Sequence, residues 1–142
     1  MDIDFSLEGA PELDAKLSAA SADIAASVAQ ILAEEGEKAA EEIRDALSTD
    51  ARAAKTHIPS QPDEPPRSRS GNLAGAISAE VSGGGAEARL ALGDLSGAAP
   101  YAKYLEYGTS KMRARPFLLP AFWSAAERAA EKFKSLLGRF GQ

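Results

Sequence analysis

The sequence lacks the residues on which most enzyme and metal sites depend. It has no cysteine and one histidine in 142 residues, which excludes disulfides and thiolate metal sites. The histidine, His57, falls in a proline-rich stretch, so a Ser-His-Asp arrangement would lack a rigidly held base. Gly-Thr-Ser-Lys at 108–111 lacks the glycine spacing of a phosphate loop. We therefore expect no enzymatic activity, no metal and no cofactor.

Long apolar runs are also missing, whereas alanine is abundant. No run approaches the ~20 residues that cross a bilayer, so we expect a chain made in a cytoplasm that contacts no membrane. Alanine accounts for 30 of the 142 residues. It is the best helix former and leaves little side chain to bury. This composition favours long helices that pack closely or that gain partners only on assembly.

Charge is unevenly distributed along the chain, whose net charge is −5. Residues 1–50 hold 13 acids and 3 bases, whereas residues 51–142 hold 8 acids and 13 bases. One interpretation is a protein with two solvated faces of opposite sign. The other is attraction between identical subunits, because a ring needs two complementary patches on each subunit.

The N-terminal third predicts a strand followed by a long helix. Polar and apolar residues alternate strictly over residues 2–8, which indicates a strand with one buried face. From Leu13 to Leu47 the larger apolar residues recur at multiples of three to four. That spacing predicts an amphipathic helix over about 11–50, up to ~58 Å long, which Gly36 could kink or divide. A small domain cannot cover so long a stripe, so we expect the surplus to pack on a neighbouring subunit.

Residues 51–71 show no periodicity and are rich in proline and arginine. A structureless stretch of that length inside a small domain is unusual unless it is functional or disordered. We expect a loop that is mobile or becomes ordered on assembly. A ligand for a proline-reading domain is the less favoured alternative, because short proline-rich loops are common. The residues that mark this loop are Pro59, Pro62, Arg67 and Arg69.

The remaining chain predicts a hairpin and a C-terminal helix. Alternation over 73–82 and 87–92, around three glycines, predicts a β-hairpin. Tyr101 to Tyr107 fits either a strand or a short helix. Beyond Pro116, six or so large side chains recur at steps of three and four, and we expect them to be buried. The helix is expected to end at Gly138. The fold class is α+β: one domain over 1–142, with a small antiparallel sheet packed by a long N-terminal helix and a C-terminal helix.

Two stretches resemble siphophage neck proteins, also called tail-completion proteins. Residues 66–77 read Pro-Arg-Ser-Arg-Ser-Gly-Asn-Leu-Ala-Gly-Ala-Ile; this resembles the family's "Gly-x-Leu, then Ser-Ile" passage, with Ala76 where serine is more usual. Residues 101–121 read Tyr-Ala-Lys-Tyr-Leu-Glu-Tyr-Gly-Thr-Ser-Lys-Met-Arg-Ala-Arg-Pro-Phe-Leu-Leu-Pro-Ala. They resemble the family signature "Tyr-Ala, Glu-aromatic-Gly-Thr, a short basic loop, Pro-Phe, Pro-Ala". Residues 101–121 are called the signature stretch below.

The resemblance implies a structural virion protein of the head–tail junction, in a phage, a prophage or a gene transfer agent. Such a subunit forms a homo-oligomeric ring that joins the DNA-filled head to a long tail. Its implied partners are connector or head-closure, tail-terminator and tail-tube proteins. The alternative within this class is a tail terminator or another minor tail component. The subunit would stay in the host cytoplasm until it enters the virion.

Several signature residues are candidates for an assembly loop. Gly108 suits a positive φ or the close approach of another chain, and Thr109 can satisfy backbone groups in the turn after it. If Glu106 is buried it needs a partner, for which Arg113 and Arg115 are candidates; otherwise these are solvated side chains. The candidate loop comprises Glu106, Gly108, Thr109, Arg113, Arg115, Pro116 and Phe117.

A nucleic-acid role is the remaining class to weigh. Residues 101–115 carry four bases and one acid, too few for strong phosphate binding by a monomer, although a ring would multiply them. Non-specific contact with DNA in a channel is therefore compatible with the sequence. A DNA-binding regulator is disfavoured, because half of the chain is acidic and no basic recognition helix is present.

Overall fold

The protein is α+β, as predicted, with one helix at its centre. A computed structural model describes residues 10–48, 61–66, 71–84 and 87–140. The predicted strand at 2–8 and the loop residues Pro59, Arg67 and Arg69 lie outside these ranges. The elements are α1 (Ala10–Ser48), α2 (Asn72–Ala76), β1 (Ile77–Gly84), β2 (Glu87–Asp94), α3 (Ala102–Tyr107) and α4 (Leu119–Phe140).

Helix α1 runs unbroken through Gly36, which does not divide it. The glycine is needed for packing instead: a Cβ placed there would lie 2.5 Å from Leu90 Cδ1 and 3.3 Å from Ala79 Cβ. One turn further on, Ala40 is completely buried and belongs to the core cluster that contains Ile77 of the hairpin. This small-residue face lets the helix lie directly on the hairpin, at a distance that larger side chains would forbid.

The hairpin is antiparallel, with Ile77 opposite Asp94 and Gly84 opposite Glu87. The prediction that its first strand begins near Leu73 is wrong, because residues 72–76 form the short helix α2. Gly71 has a φ of 77° and its carbonyl accepts a hydrogen bond from Gly75 N at 2.8 Å. Leu73 and Ala76, three residues apart, are both buried. Over so few residues, alternation and helical spacing select some of the same positions, so the pattern does not distinguish a strand from a helix.

The core lies where the C-terminal half of α1 meets the start of the hairpin. Arg44 of α1 fastens the two, because its Nε and NH2 groups donate to the Ile77 carbonyl at 3.0 and 2.8 Å. The buried residues of this cluster are Ala40, Ile43, Leu47, Leu73, Ala76, Ile77, Ala99 and Phe117.

Helix α4 packs mainly on α1. Pro120 lies in its first turn, where proline is tolerated, and the helix continues through Gly138 to Phe140, so the predicted end at Gly138 is wrong. The expected burial of six large side chains is also wrong. Only Ala125 and Ala129 are buried, and Phe140 is 49% exposed. The physical reason is that α4 contacts one helix through an alanine stripe rather than lying across a sheet.

Ion pairs join α1 to α4, and one of their carboxylates is buried. Glu35 is 3% exposed, and its two oxygens lie 2.6 Å from Arg128 Nε and 2.9 Å from Lys132 Nζ. Glu42 and Glu34 extend the network, at 3.4 Å from Arg128 and 3.2 Å from Lys132. Glu35 therefore departs from the interpretation in which the acidic part of the chain is a solvated face. Some of the acids of the N-terminal part and some of the bases of the C-terminal part therefore form ion pairs with each other within one subunit.

The pKa of Glu35 reflects two opposing effects. Burial raises the pKa of this carboxyl, but hydrogen bonds and attraction from Arg128 and Lys132 outweigh burial, so the pKa lies below its ordinary value of 4.5. A carboxyl with a lowered folded-state pKa stabilises the fold above the unfolded-state pKa. That contribution is lost as the pH falls through the folded-state value.

We predict that Glu35→Gln lowers the free energy of unfolding at pH 7 by about 1–3 kcal/mol, because it leaves two cations without their shared anion. The difference from the wild type should shrink as the pH falls below 4.5, since wild-type Glu35 then becomes neutral as well. Urea unfolding at pH 7 and pH 3 measures both effects. Glu131→Gln, which removes an exposed i,i+3 partner of Lys134, is the control and should change little. A difference that is the same at both pH values would contradict this account.

Candidate assembly loop

The signature stretch folds as a short helix, a tight reversal and an extended lead into α4. Tyr101–Tyr107, which fitted either a strand or a helix, contains the helix α3. Its end is fixed by a hydrogen bond from Gly108 N to Tyr104 O at 2.9 Å. The returning chain is held against it by a bond of 2.7 Å from Arg115 N to Leu105 O. Residues 106–117, called the assembly loop below, thus close on themselves through backbone contacts.

Glu106 organises this loop. It is 5% exposed, and its carboxylate accepts hydrogen bonds from three successive amides: Phe117 N at 2.9 Å, Leu118 N at 3.0 Å and Leu119 N at 2.9 Å. These amides lead into α4, where the first N–H groups of a helix have no partner within the helix and attract negative charge. Buried Glu106 thus has the partners that its burial requires, but they are main-chain amides rather than Arg113 or Arg115, the candidates named from the sequence. A side chain of α3 caps α4 instead.

Gly108 makes the reversal possible. Its φ is 75° and its ψ 179°, a conformation open essentially to glycine alone, so the predicted positive φ is confirmed. A Cβ at this position would lie 2.7 Å from Ala114 N and 2.8 Å from Met112 O. The chain that approaches closely is therefore the same subunit's own loop. Residue 108 is constrained both by its backbone conformation and by space.

Thr109 and Met112 form the base of a two-residue turn. Thr109 N donates to Met112 O at 2.8 Å, and Met112 N returns a bond of 3.3 Å to Thr109 O. The Thr109 hydroxyl accepts from Lys111 N at 3.3 Å, as expected of a threonine that satisfies backbone groups in the turn. The tip, Ser110 and Lys111, is exposed.

Some of the predicted loop residues are buried and others are exposed. Phe117 is 5% exposed and belongs to the core, so it supports the loop from beneath rather than presenting a surface to a partner. Pro116 and Arg115 are half-buried, whereas Thr109 and Arg113 are exposed. The part of the loop open to a partner is therefore its tip and its basic side chains.

The described part of the proline-rich segment, 61–66, touches the loop. Asp63 N donates to Ala114 O at 3.2 Å, with Asp63 at a φ of 69°. Pro66 is buried, whereas Pro62 is exposed. This contact joins the residues just before the first resembling stretch to the signature stretch. Mobility of the segment stays a prediction.

An exposed row of tyrosines lies on α3 beside the assembly loop. Tyr101, Tyr104 and Tyr107 are 43%, 50% and 73% exposed, and Lys103 Nζ lies 5.0 Å from the centre of the Tyr104 ring, within range of a cation–π contact. We call these three side chains the tyrosine face. The sequence signal for it is the i, i+3, i+6 spacing, which has this meaning only once the segment is known to be a helix. Tyr107 and Lys103 also line a groove of about 430 Å³ together with Leu92, Leu95 and Leu118.

The connection before α3 is held by Asp94. Its carboxylate accepts bonds from Ala99 N at 2.7 Å, Ala98 N at 3.1 Å and Ser96 Oγ at 3.0 Å. The amide of Ala99 is the largest cause of the lowered pKa of Asp94. This carboxylate fixes the turn from which α3 starts.

The part of the chain that the structure describes offers neither a metal-binding cluster nor a membrane-spanning helix. No group of three or more histidine or carboxylate side chains there could hold a metal ion. Within the same ranges, no helix combines the length and the apolar character needed to cross a bilayer.

No protein-family model matches the sequence, and neither the curated proteins nor the solved structures contain a match.

We predict that Glu106→Ala lowers the free energy of unfolding by about 2–4 kcal/mol, because it leaves three amides at the start of α4 without an acceptor. Urea unfolding followed by circular dichroism measures this change. The control is Glu41→Ala on the exposed side of α1, which should alter stability little. Equal effects of the two substitutions would show that the carboxylate does not cap α4.

A second pair of substitutions separates backbone strain from steric clash. Gly97 also has a positive φ, 72°, but no atom lies within 4 Å of a Cβ built on it. Gly97→Ala should therefore cost about 1 kcal/mol, whereas Gly108→Ala should cost about 2–5 kcal/mol because strain and clash add. Thermal and urea unfolding of the two variants gives the comparison. Similar costs would mean that the loop tolerates a Cβ at residue 108.

Proposed function

We propose that this protein is a structural subunit of the head–tail junction of a long-tailed phage, prophage or gene-transfer-agent particle, where it assembles as a ring. The family resemblance of the signature stretch motivates the proposal. The observation that carries it is the role of Glu106. The carboxylate of Glu106, the one acid of the signature stretch, accepts hydrogen bonds from three main-chain amides. The motif therefore maintains a backbone conformation and presents no reactive carboxylate.

The other distinctive positions of the signature serve the same end. Gly108 permits the reversal, Thr109 closes the turn, and Phe117 anchors the loop in the core. A motif whose parts all maintain one backbone shape is typical of a surface that other proteins must fit. For this reason we propose a non-enzymatic role, with the assembly loop in contact with neighbouring subunits or with the connector, terminator or tube proteins.

The exposed side chains near the loop are of the kind that protein interfaces use. Tyrosine and arginine are enriched among the residues that dominate binding energy, and the three tyrosines, Lys111 and Arg113 are all exposed. The same basic side chains, repeated around a ring, would also favour non-specific contact with DNA in a channel. In our proposal protein contacts come first and the DNA contact is secondary.

We predict that deleting the gene from the genome that encodes the particle yields DNA-filled heads and separate tails. The physical reason is that the joining layer between the two is missing. Electron microscopy of lysates and a count of infectious or transducing particles measure this. A plasmid copy of the wild-type gene should restore joined particles, and so should a His57→Ala copy, because no catalytic base is proposed.

Other outcomes of the deletion assign other roles. Joined particles whose tails have abnormal lengths would point to a tail terminator instead. Normal particles in normal numbers would contradict the proposed function. A His57→Ala copy that is stable and incorporated but inactive would contradict the non-enzymatic role.

A further inference from the structure

The N-terminal part of α1 extends beyond its partner helix. Helices α1 and α4 run antiparallel, so that residue numbers fall along α1 as they rise along α4. Glu42 contacts Arg128, Glu35 contacts Lys132, and Ile31 lines the same groove as Leu136. If this pairing is continued by one helical turn, Phe140 at the end of α4 falls beside about residue 27 of α1. Residues 10–26, called the overhang below, therefore have no α4 beside them over about 25 Å.

The overhang carries an apolar side chain in an acidic setting. Leu17 is 61% exposed, and Ala15, Ala19 and Ala20 lie within three residues of it. The charged residues of the overhang are three acids and one base: Glu12, Asp14, Asp23 and Lys16. An exposed leucine on a small-residue, net-acidic helix is a surface that a complementary, basic partner can cover.

The tyrosine face is the matching surface on the same subunit. It combines three exposed rings with Lys103, whose Nζ lies 5.0 Å from the centre of the Tyr104 ring, and the loop that follows α3 carries the exposed cations Lys111 and Arg113. Aromatic rings supply contact area at low entropic cost, since each has few rotatable bonds. Its charge is opposite to that of the overhang.

The two surfaces lie toward opposite ends of the subunit. Helix α3 packs through Ala102 and Leu105 on the cluster that contains Leu47, near the C-terminal end of α1. Leu47 is about 30 Å along the helix axis from residue 26. One subunit therefore cannot bring its own overhang onto its own tyrosine face while α1 stays straight.

We infer that the overhang of one subunit packs against the tyrosine face of the next copy of the same chain, with Leu17 set among the tyrosines. This inference rests on the proposed ring, whose contact it specifies. Two different patches at opposite ends give a heterologous, head-to-tail contact, which closes into a ring when its rotation divides a full turn. Pairing between two overhangs is disfavoured, because it would bring their acidic residues together.

Single substitutions test the two surfaces by sedimentation of the purified full-length protein. Leu17→Glu and Tyr107→Glu should each convert the ring into monomers, because each adds a charge to an apolar contact. Their controls are Leu137→Glu and Trp123→Glu, which change side chains 61% and 63% exposed elsewhere on the subunit and should leave the ring intact. Circular dichroism checks that all four variants fold.

A mixing experiment tests whether the contact is head-to-tail. Leu17→Glu retains a working tyrosine face, and Tyr107→Glu retains a working overhang. Mixed together, the two monomeric variants should form a dimer of one copy each and nothing larger. A mixture that stays monomeric although the wild type forms rings would overturn the inference.

The lack of native cysteine gives a direct test of proximity. The double variant Leu17→Cys, Tyr107→Cys should give a ladder of disulfide-linked oligomers on oxidation, whereas each single variant should give monomers. Dimers from Leu17→Cys alone would mean that overhangs pair with each other, and would overturn the inference. So would a wild-type protein that stays monomeric at millimolar concentration, or a Leu17→Glu ring of normal size. None of these results bears on joining of heads to tails, which the deletion experiment tests separately.

Discussion

The carboxylate of Glu106 is the contact on which the signature stretch depends. It is buried, and three consecutive amides at the start of α4 converge on its two oxygens. An acceptor is required there because the first amides of a helix have no partner within it. Supplying that acceptor from α3 fixes where α4 begins and how it is directed relative to α3. Gly108 then lets the chain between them turn within the available space.

Helix α1 connects this arrangement to the rest of the molecule. On one side Gly36 and Ala40 bring it close to the hairpin, and elsewhere Glu35 binds two cations of α4. A buried carboxylate with two cationic partners specifies how the helices align, since a shift by one turn would separate the charges. The acidic N-terminal half and the basic C-terminal half therefore meet first within one subunit. The overhang and the tyrosine face lie outside this internal network.

Residues of the signature stretch divide into those that build the loop and those that a partner can reach. Glu106 and Phe117 are inside, whereas Thr109, Arg113 and the tyrosines are accessible. A rigid loop with exposed aromatic and basic side chains loses little entropy on binding, because its backbone is already ordered. The proposed ring contact and the proposed junction role both draw on this property.

The sequence by itself determined the elements with long, regular patterns: α1, the hairpin, α4 and hence the α+β class. It also indicated that Gly108 needs a positive φ, because the local reversal requires it. Tertiary structure decided the partner of Glu106, the reason for Gly36 and the burial of Glu35. It also decided that residues 72–76 are helical. Each of these depends on groups distant in sequence, such as the amides of α4 or the side chain of Leu90. Local patterns record which face of an element is apolar, but not which distant atom will lie against it.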